Sequence, residues 1–209
     1  MEYEVRFYYP IKEYNNKINL LNKISTLKCN GRNYEKTSQF NHPSPKYNFY
    51  SKKIDGRFRI RITKGKNISR CMLSWKRRLP ITLESSINKE EEIELTIKPS
   101  EYDNLMFIVK NILHMEEVES YERFRTTFTN SEVEIALDEY PFGLALEIEA
   151  KTFDNKAEEV VDKYVELLKL DYKDSYRLSW DDKYEELCKE QGKEKFKHVL
   201  FDCDMPEIK

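Results

Sequence analysis

Arg57-Phe58-Arg59-Ile60-Arg61-Ile62 alternates a cation with an apolar side chain over consecutive positions. Strand residues point alternately to opposite faces, so three arginines share one face and Phe58, Ile60 and Ile62 the other. The same period of two recurs on either side. Glu2, Glu4 and Arg6 stand against Tyr3, Val5 and Phe7; Glu90, Glu92 and Glu94 against Ile93 and Leu95; Arg123 and Arg125 flank Phe124, and Glu147 and Glu149 flank Ile148. Residues 2–8, 57–63, 68–76, 90–97, 118–129, 132–138 and 144–151 therefore read as strands. Lys64-Gly65-Lys66-Asn67 and Thr129-Asn130-Ser131 read as hairpin turns, which pair their flanking strands antiparallel. Residues 34–46, with His42-Pro43-Ser44-Pro45, read as an irregular loop.

Helical spacing appears at residues 16–25, after Pro99 and an N-cap Ser100, at 155–168, and at 181–190 before a C-capping Gly192. After Pro99, Leu105, Met106, Ile108, Val109, Ile112 and Leu113 form one apolar stripe. With 209 residues, no repeat and no linker, the chain reads as one domain over 1–209, closed by a helical segment from about 155 to 209. The fold class is α+β, mainly β.

Composition narrows the function. Lys and Arg number 36 against 38 Asp and Glu, which removes the strongly basic balance of a general nucleic-acid binder. No apolar run is long enough for a membrane span, and residues 1–6 lack the apolar core of a signal peptide, so a cytoplasmic protein without membrane contact is expected. Cys29, Cys71, Cys188 and Cys203 form no CxxC pair and read as reduced thiols; His42, His114 and His198 receive no role.

Charged strand faces are usually solvated. Here each strand carries mostly one sign, although like charges side by side on a sheet repel. Single-sign rows make sense if the acidic ones hold cations and the basic ones an anion. A closed barrel with its helices outside would turn those rows inward. Paired glutamates suit hard divalent ions, and arginine forks suit phosphate, so the expected ligand is a polyphosphate bound with Mg2+ or Mn2+. No glycine-rich phosphate loop competes with this reading.

Taken in order, these residues resemble the triphosphate tunnel metalloenzymes, the superfamily of the CYTH domain, over most of the chain. The ExExK signature is met as Glu2-Tyr3-Glu4-Val5-Arg6, with arginine in place of the lysine. Phe58-Arg59-Ile60-Arg61, Leu73-Ser74-Trp75-Lys76, Glu90-Glu91-Glu92-Ile93-Glu94, Arg123-Phe124-Arg125, Asp138 and Leu146-Glu147-Ile148-Glu149 follow in the family's order, and Asp174-Ser175-Tyr176-Arg177 is similar to its C-terminal segment. The resemblance implies a closed eight-stranded antiparallel β-barrel, a triphosphate tunnel, with peripheral α-helices. It implies Glu2, Glu4, Glu147 and Glu149 as metal ligands with Asp138 assisting, and Glu4 or Glu149 as the catalytic base. Arg6, Arg59, Arg61, Lys76, Arg123, Arg125 and Arg177 would bind the triphosphate, with Glu92 and Glu94 supporting the acidic side. Arg57 and Arg78, by parity or strand-end position, are weaker candidates, and Glu132 and Glu134, beside a turn, weaker still.

The implied reaction is hydrolysis of the terminal phosphate of a triphosphate-containing small molecule. The alternatives are a class IV adenylate cyclase, which makes cyclic AMP and pyrophosphate from ATP, an RNA 5'-triphosphatase, where the partner is triphosphate-ended RNA, and a noncatalytic polyphosphate binder. A cyclase needs a base pocket, for which Tyr3, Tyr8, Tyr9, Tyr47 and Tyr50 are available unless they simply cover the barrel.

Overall fold

The computed structural model describes residues 2–48, 56–78, 88–152 and 156–209, with the backbone alone at Glu2, Arg78 and 88–90. Its strands are β1 (Glu2–Tyr9), β2 (Lys28–Asn41), β3 (Gly56–Lys64), β4 (Ser69–Arg78), β5 (Asn88–Ile97), β6 (Glu116–Thr129), β7 (Val133–Tyr140), β8 (Gly143–Ala150) and the short β9 (His198–Val199). They form one sheet in the order β2-β3-β4-β5-β1-β8-β7-β6-β9, antiparallel throughout except that β9 runs parallel to β6. β2 pairs with β6 as well as with β3, so the pairings of β1 to β8 return to the strand they began from. The helices are α1 (Tyr14–Asn22), α2 (Tyr102–Phe107), α3 (Ala157–Leu167) and α4 (Trp180–Gln191). No described helix is long and apolar enough to cross a membrane.

Parity decides which face the helices cover. Val133, Ile135 and Leu137 of β7 and Leu144, Leu146 and Ile148 of β8 join Val5 and Phe7 of β1 in a core that α3 closes with Val160, Val161, Tyr164 and Val165. Each such side chain contributes about 1.5–3 kcal/mol by leaving water. A second cluster departs from this rule: Tyr184 and Leu187 of α4 lie with Phe142, Val199 and also Tyr121 and Tyr140, which have the parity of Arg123 and Asp138. The third lies under the α2 region, where Val109 and Met115 meet Phe40, Ile60 and Cys71. The opposite parity carries the charges, and it too is buried: Glu4 is 3% exposed, Arg123 3% and Glu147 7%. An ordinary antiparallel sheet leaves that face to water.

Two sequence expectations are corrected. Residues 34–41 are not loop but the second half of β2, which Glu35, Thr37 and Gln39 pass through on the charged face. Residues 43–46, the Pro-containing part, remain irregular. The stripe after Pro99 is divided rather than continuous: Val109 is buried, but Ile108, Ile112 and Leu113 are about half exposed, because α2 gives way to a π turn at Ile108–Ile112 that rotates them outward. Ser100 lies inside the 3-10 turn Pro99–Glu101 and caps no helix. The β3–β4 hairpin closes as expected, with Gly65 N–H donating to Ile68 O at 2.9 Å. A Cβ at Gly65 would stand 1.8 Å from Asn33 Oδ1, so a larger residue there would have to push the Asn33 side chain aside.

Candidate active site

All eight long strands contribute to one cavity of about 320 Å³, within the range of small-molecule sites. Strand register sets its walls. Glu4 of β1 lies opposite Glu149 of β8, and Arg6 opposite Glu147. Glu134 of β7 lies on the other side of Glu149, which makes a row of three carboxylates across neighbouring strands. On the facing wall Arg59 pairs with Gln39 and Arg61 with Thr37, Arg57 with Lys76, and Lys76 with Glu92. β6 brings Arg125 opposite Asp138 and Arg123 opposite Glu35.

The side chains within this frame form an ion-pair lattice. Asp138, 0% exposed, accepts from Arg123 Nη1 at 2.7 Å and from Arg125 Nε and Nη2 at 2.8 and 3.0 Å. Arg123 Nε also donates to Glu35 Oε2 at 2.8 Å. Glu147 accepts from Arg6 Nε at 2.7 Å and from Arg125 Nη2, while Arg6 Nη2 reaches Glu4 Oε1 at 3.2 Å. Arg59 Nη2 donates to Glu92 at 2.8 Å. Burial raises the carboxyl pKa of Glu147, but Arg6 and Arg125 outweigh it and hold it well below the ordinary range. Glu35 is depressed in the same way by Arg123 and Arg61.

The wall of Arg57, Arg59 and Arg61 gathers positive charge. Burial, with Arg61 and Arg57 beside it, holds Arg59 below the usual arginine value despite Glu92. Burial alone would raise the neighbouring Tyr121 phenol, yet Arg61, Arg123 and Arg59 bring it down to about 8. Cations beside a phenol, helped here by a hydrogen bond with Thr37, favour its ionised form, and a field of that sign attracts anions.

Of the residues expected from sequence, Glu4, Arg6, Arg59, Arg61, Lys76, Glu92, Glu94, Arg123, Arg125, Glu147 and Glu149 line this cavity. Asp138 lies behind the lining with its oxygens held by two arginines, so it positions them. Arg177 is exposed and outside the lining, whereas Ser179 and Trp180 of the same segment reach it. The side chains of Glu2, Arg78 and Glu90 and all of Tyr50 lie outside the described residues; the Glu2 backbone pairs with Glu90. Arg57 and Glu134, the weaker candidates, also line the cavity, as do Gln39, Arg70, Tyr121, Tyr140 and Lys151. Glu134 shares the parity of Asp138, a signal available in the sequence. Glu35 was hidden by the loop reading of β2.

The Mg2+ or Mn2+ expected from the resemblance can be tested against these donors. Among the described residues no three acidic, His or Cys side chains form a ready cage. Mg2+ commonly takes only one or two carboxylates and completes its shell with water and phosphate oxygens. Glu4 and Glu149, directly opposite one another, fit that demand. Glu147 fits it less well, since Arg6 and Arg125 already occupy its oxygens.

By sequence, no family model and no curated protein matches the chain at a significant level. The fold recurs in solved structures. PH1819 from Pyrococcus horikoshii is 24% identical, with a TM-score of 0.63 over 91% of this chain and 99% of that one. A candidate adenylate cyclase from Vibrio parahaemolyticus is 16% identical, with a TM-score of 0.62 over 86% and 96%. HpAC1 from Hippeastrum, described as a candidate adenylyl cyclase with a dominant triphosphatase activity, is 16% identical, with a TM-score of 0.59 over 93% and 98%. These likenesses agree with the resemblance read in the sequence, and the chain has the fold these proteins share.

Proposed function

We propose that the chain is a divalent-metal-dependent phosphohydrolase of the triphosphate tunnel type, which removes the terminal phosphate of a triphosphate inside a closed eight-stranded barrel. The observation that carries this reading is the opposition of two rows in one cavity, Glu4 and Glu149 on one wall and Arg57, Arg59 and Arg61 on the other. The β2–β6 pairing supports the closed form. Arg59, Arg61, Arg123, Arg125 and Lys76 hold the phosphate chain by charge-assisted hydrogen bonds. Held there by Glu4 and Glu149, Mg2+ or Mn2+ would supply charge neutralisation on phosphate oxygens. Glu4 or Glu149 accepts the proton of the attacking water as its oxygen bonds to the terminal phosphorus, and the bridging oxygen departs on the diphosphate. Asp138 and Glu147 keep the arginine heads aimed.

Hydrolysis is favoured over cyclisation because the rings at the cavity are engaged with one another. Trp180 lies 4.3 Å from Tyr121 and stacks on Tyr140 at 6.1 Å, so none of these three rings is a free platform for a base. The deciding experiment incubates pure protein with tripolyphosphate, ATP, thiamine triphosphate and triphosphate-ended RNA, with Mg2+ or Mn2+, and identifies the products. Orthophosphate is expected. Cyclic nucleotide plus pyrophosphate would replace this reading with the cyclase. Glu149→Gln should reduce orthophosphate release by at least about a hundredfold, and unchanged turnover would remove that carboxylate from the mechanism.

A further inference from the structure

The central cavity continues into a second one of about 710 Å³, with which it shares Arg61, Arg70, Arg125 and Glu134. Position along β6 gives the direction. Tyr121, against Trp180, marks the covered end, Arg123 and Arg125 follow, and Thr127 lines the second cavity. The rim there comes from Asn30 and Asn33 on β2 and from Lys66 and Asn67 in the β3–β4 turn.

Among the described residues none that lines this mouth is aromatic. A base emerging here would find nothing to stack on, and the rings that line the centre are all at the other end. What the mouth offers is cations and N–H donors. Arg70 continues the arginine row: Arg61 faces Met72 and Thr63 faces Arg70, one step further along the same face of the β3–β4 ladder. Its Nε is enclosed without a hydrogen-bond partner among the described residues. A cation set diagonally to Arg61 adds repulsion that only an anion offsets. Glu134 is the opposing charge in the shared wall, while Glu35, the other carboxylate there, is held by Arg123.

We propose that this mouth is a subsite for the phosphate chain itself, and that the preferred substrate is a linear inorganic polyphosphate longer than tripolyphosphate. The inference rests on the phosphohydrolase reading above. Each further unit of such a chain repeats the anionic group that the row of Arg61, Arg70 and Lys66 and the amides of Asn33 and Asn67 can bind. In each turnover the water oxygen bonds to the terminal phosphorus and the bridging oxygen leaves on the shortened chain. The products are orthophosphate and that chain, with the released proton passing to solvent.

The test uses the full chain with Mg2+ and compares KM for tripolyphosphate, long-chain polyphosphate, ATP and triphosphate-ended RNA, in wild type and in Lys66→Glu. Lys66 is an exposed turn residue that does not line the central cavity. Long-chain polyphosphate should have the lowest KM, and Lys66→Glu should raise that value about tenfold while the tripolyphosphate KM and kcat stay unchanged. Equal KM values for the two polyphosphates, or a rise for ATP or RNA instead, would overturn the subsite. A second arm titrates long-chain polyphosphate calorimetrically into Glu149→Gln with and without Lys66→Glu, and undiminished binding also overturns it. Should wild type hydrolyse none of the four, the hydrolase reading fails, and the calorimetric arm still decides the subsite.

Discussion

Glu35 shows how a single carboxylate organises this interior. It is 5% exposed, takes Arg123 at 2.8 Å, accepts from Thr63 Oγ1 at 3.1 Å and lies 3.9 Å from Arg61 Nε. Breaking one partner of a buried pair typically costs about 3–5 kcal/mol, since the other charge is left uncompensated. Glu35→Gln should lower the unfolding free energy in urea by about 3 kcal/mol, and a loss under about 1 kcal/mol would mean the pair is solvated. Its depressed pKa makes this contribution fully present above the unfolded-state value near about 4.3. It fades as the pH falls through the lower folded-state value, so the variant should lose less stability in acid than wild type. Tyr121 acts in the opposite range. As the pH rises through about 8 its phenolate supplies negative charge to Arg59, Arg61 and Arg123, which then attract phosphate less. The tripolyphosphate KM should climb through that range in wild type and stay level in Tyr121→Phe; a climb in both would place the titration elsewhere.

Elements were legible where one parity is apolar. β3 and β8 alternate cleanly, as does β7 up to Asp138, and Arg57, Arg59, Arg61, Glu134, Glu147 and Glu149 reach the cavity because the Ile, Leu and Val residues between them must reach the helices. β2 carries polar residues on both faces, with Lys36 and Ser38 outward and Glu35 and Thr37 inward, so periodicity had no contrast to register. Its place comes from pairing with β3 and β6, which is long-range information. The end of α4 was legible for a local reason. Gly192 holds φ +64°, and a Cβ there would meet nothing within 4 Å, so only the backbone conformation calls for glycine. Gly192→Ala should therefore cost about 1 kcal/mol and Gly192→Asn less, as asparagine tolerates this region. Urea unfolding of both variants checks the order, and equal losses would point to a cause other than φ.

At the scale of the whole molecule, the formal charge of −2 conceals a strong internal asymmetry. Among the described side chains, nine cationic ones line the central cavity against six carboxylates, with Glu35 and Asp138 held by Arg123 behind them. That motive for anion binding was partly legible, because each charged strand declares its own sign. The net sign inside depends on which rows the register brings together, and on Arg70 and Arg57 joining them. Like charges gathered in a compact interior oppose folding, and a bound polyanion should relieve that opposition. Without metal, tripolyphosphate at about a hundredfold excess over Kd should stabilise the protein by about 2.7 kcal/mol, read as a rise in Tm. Arg59→Gln and Arg61→Gln should each shrink the rise. Salt distinguishes this cause from general polyanion effects: in ligand-free protein, added sodium chloride should raise Tm by screening the arginine row, while in the complex it should weaken binding and shrink the ligand-induced rise. A ligand-free protein whose Tm falls with salt would mean that the interior attractions outweigh the repulsion, and the excess of cations would no longer account for anion affinity.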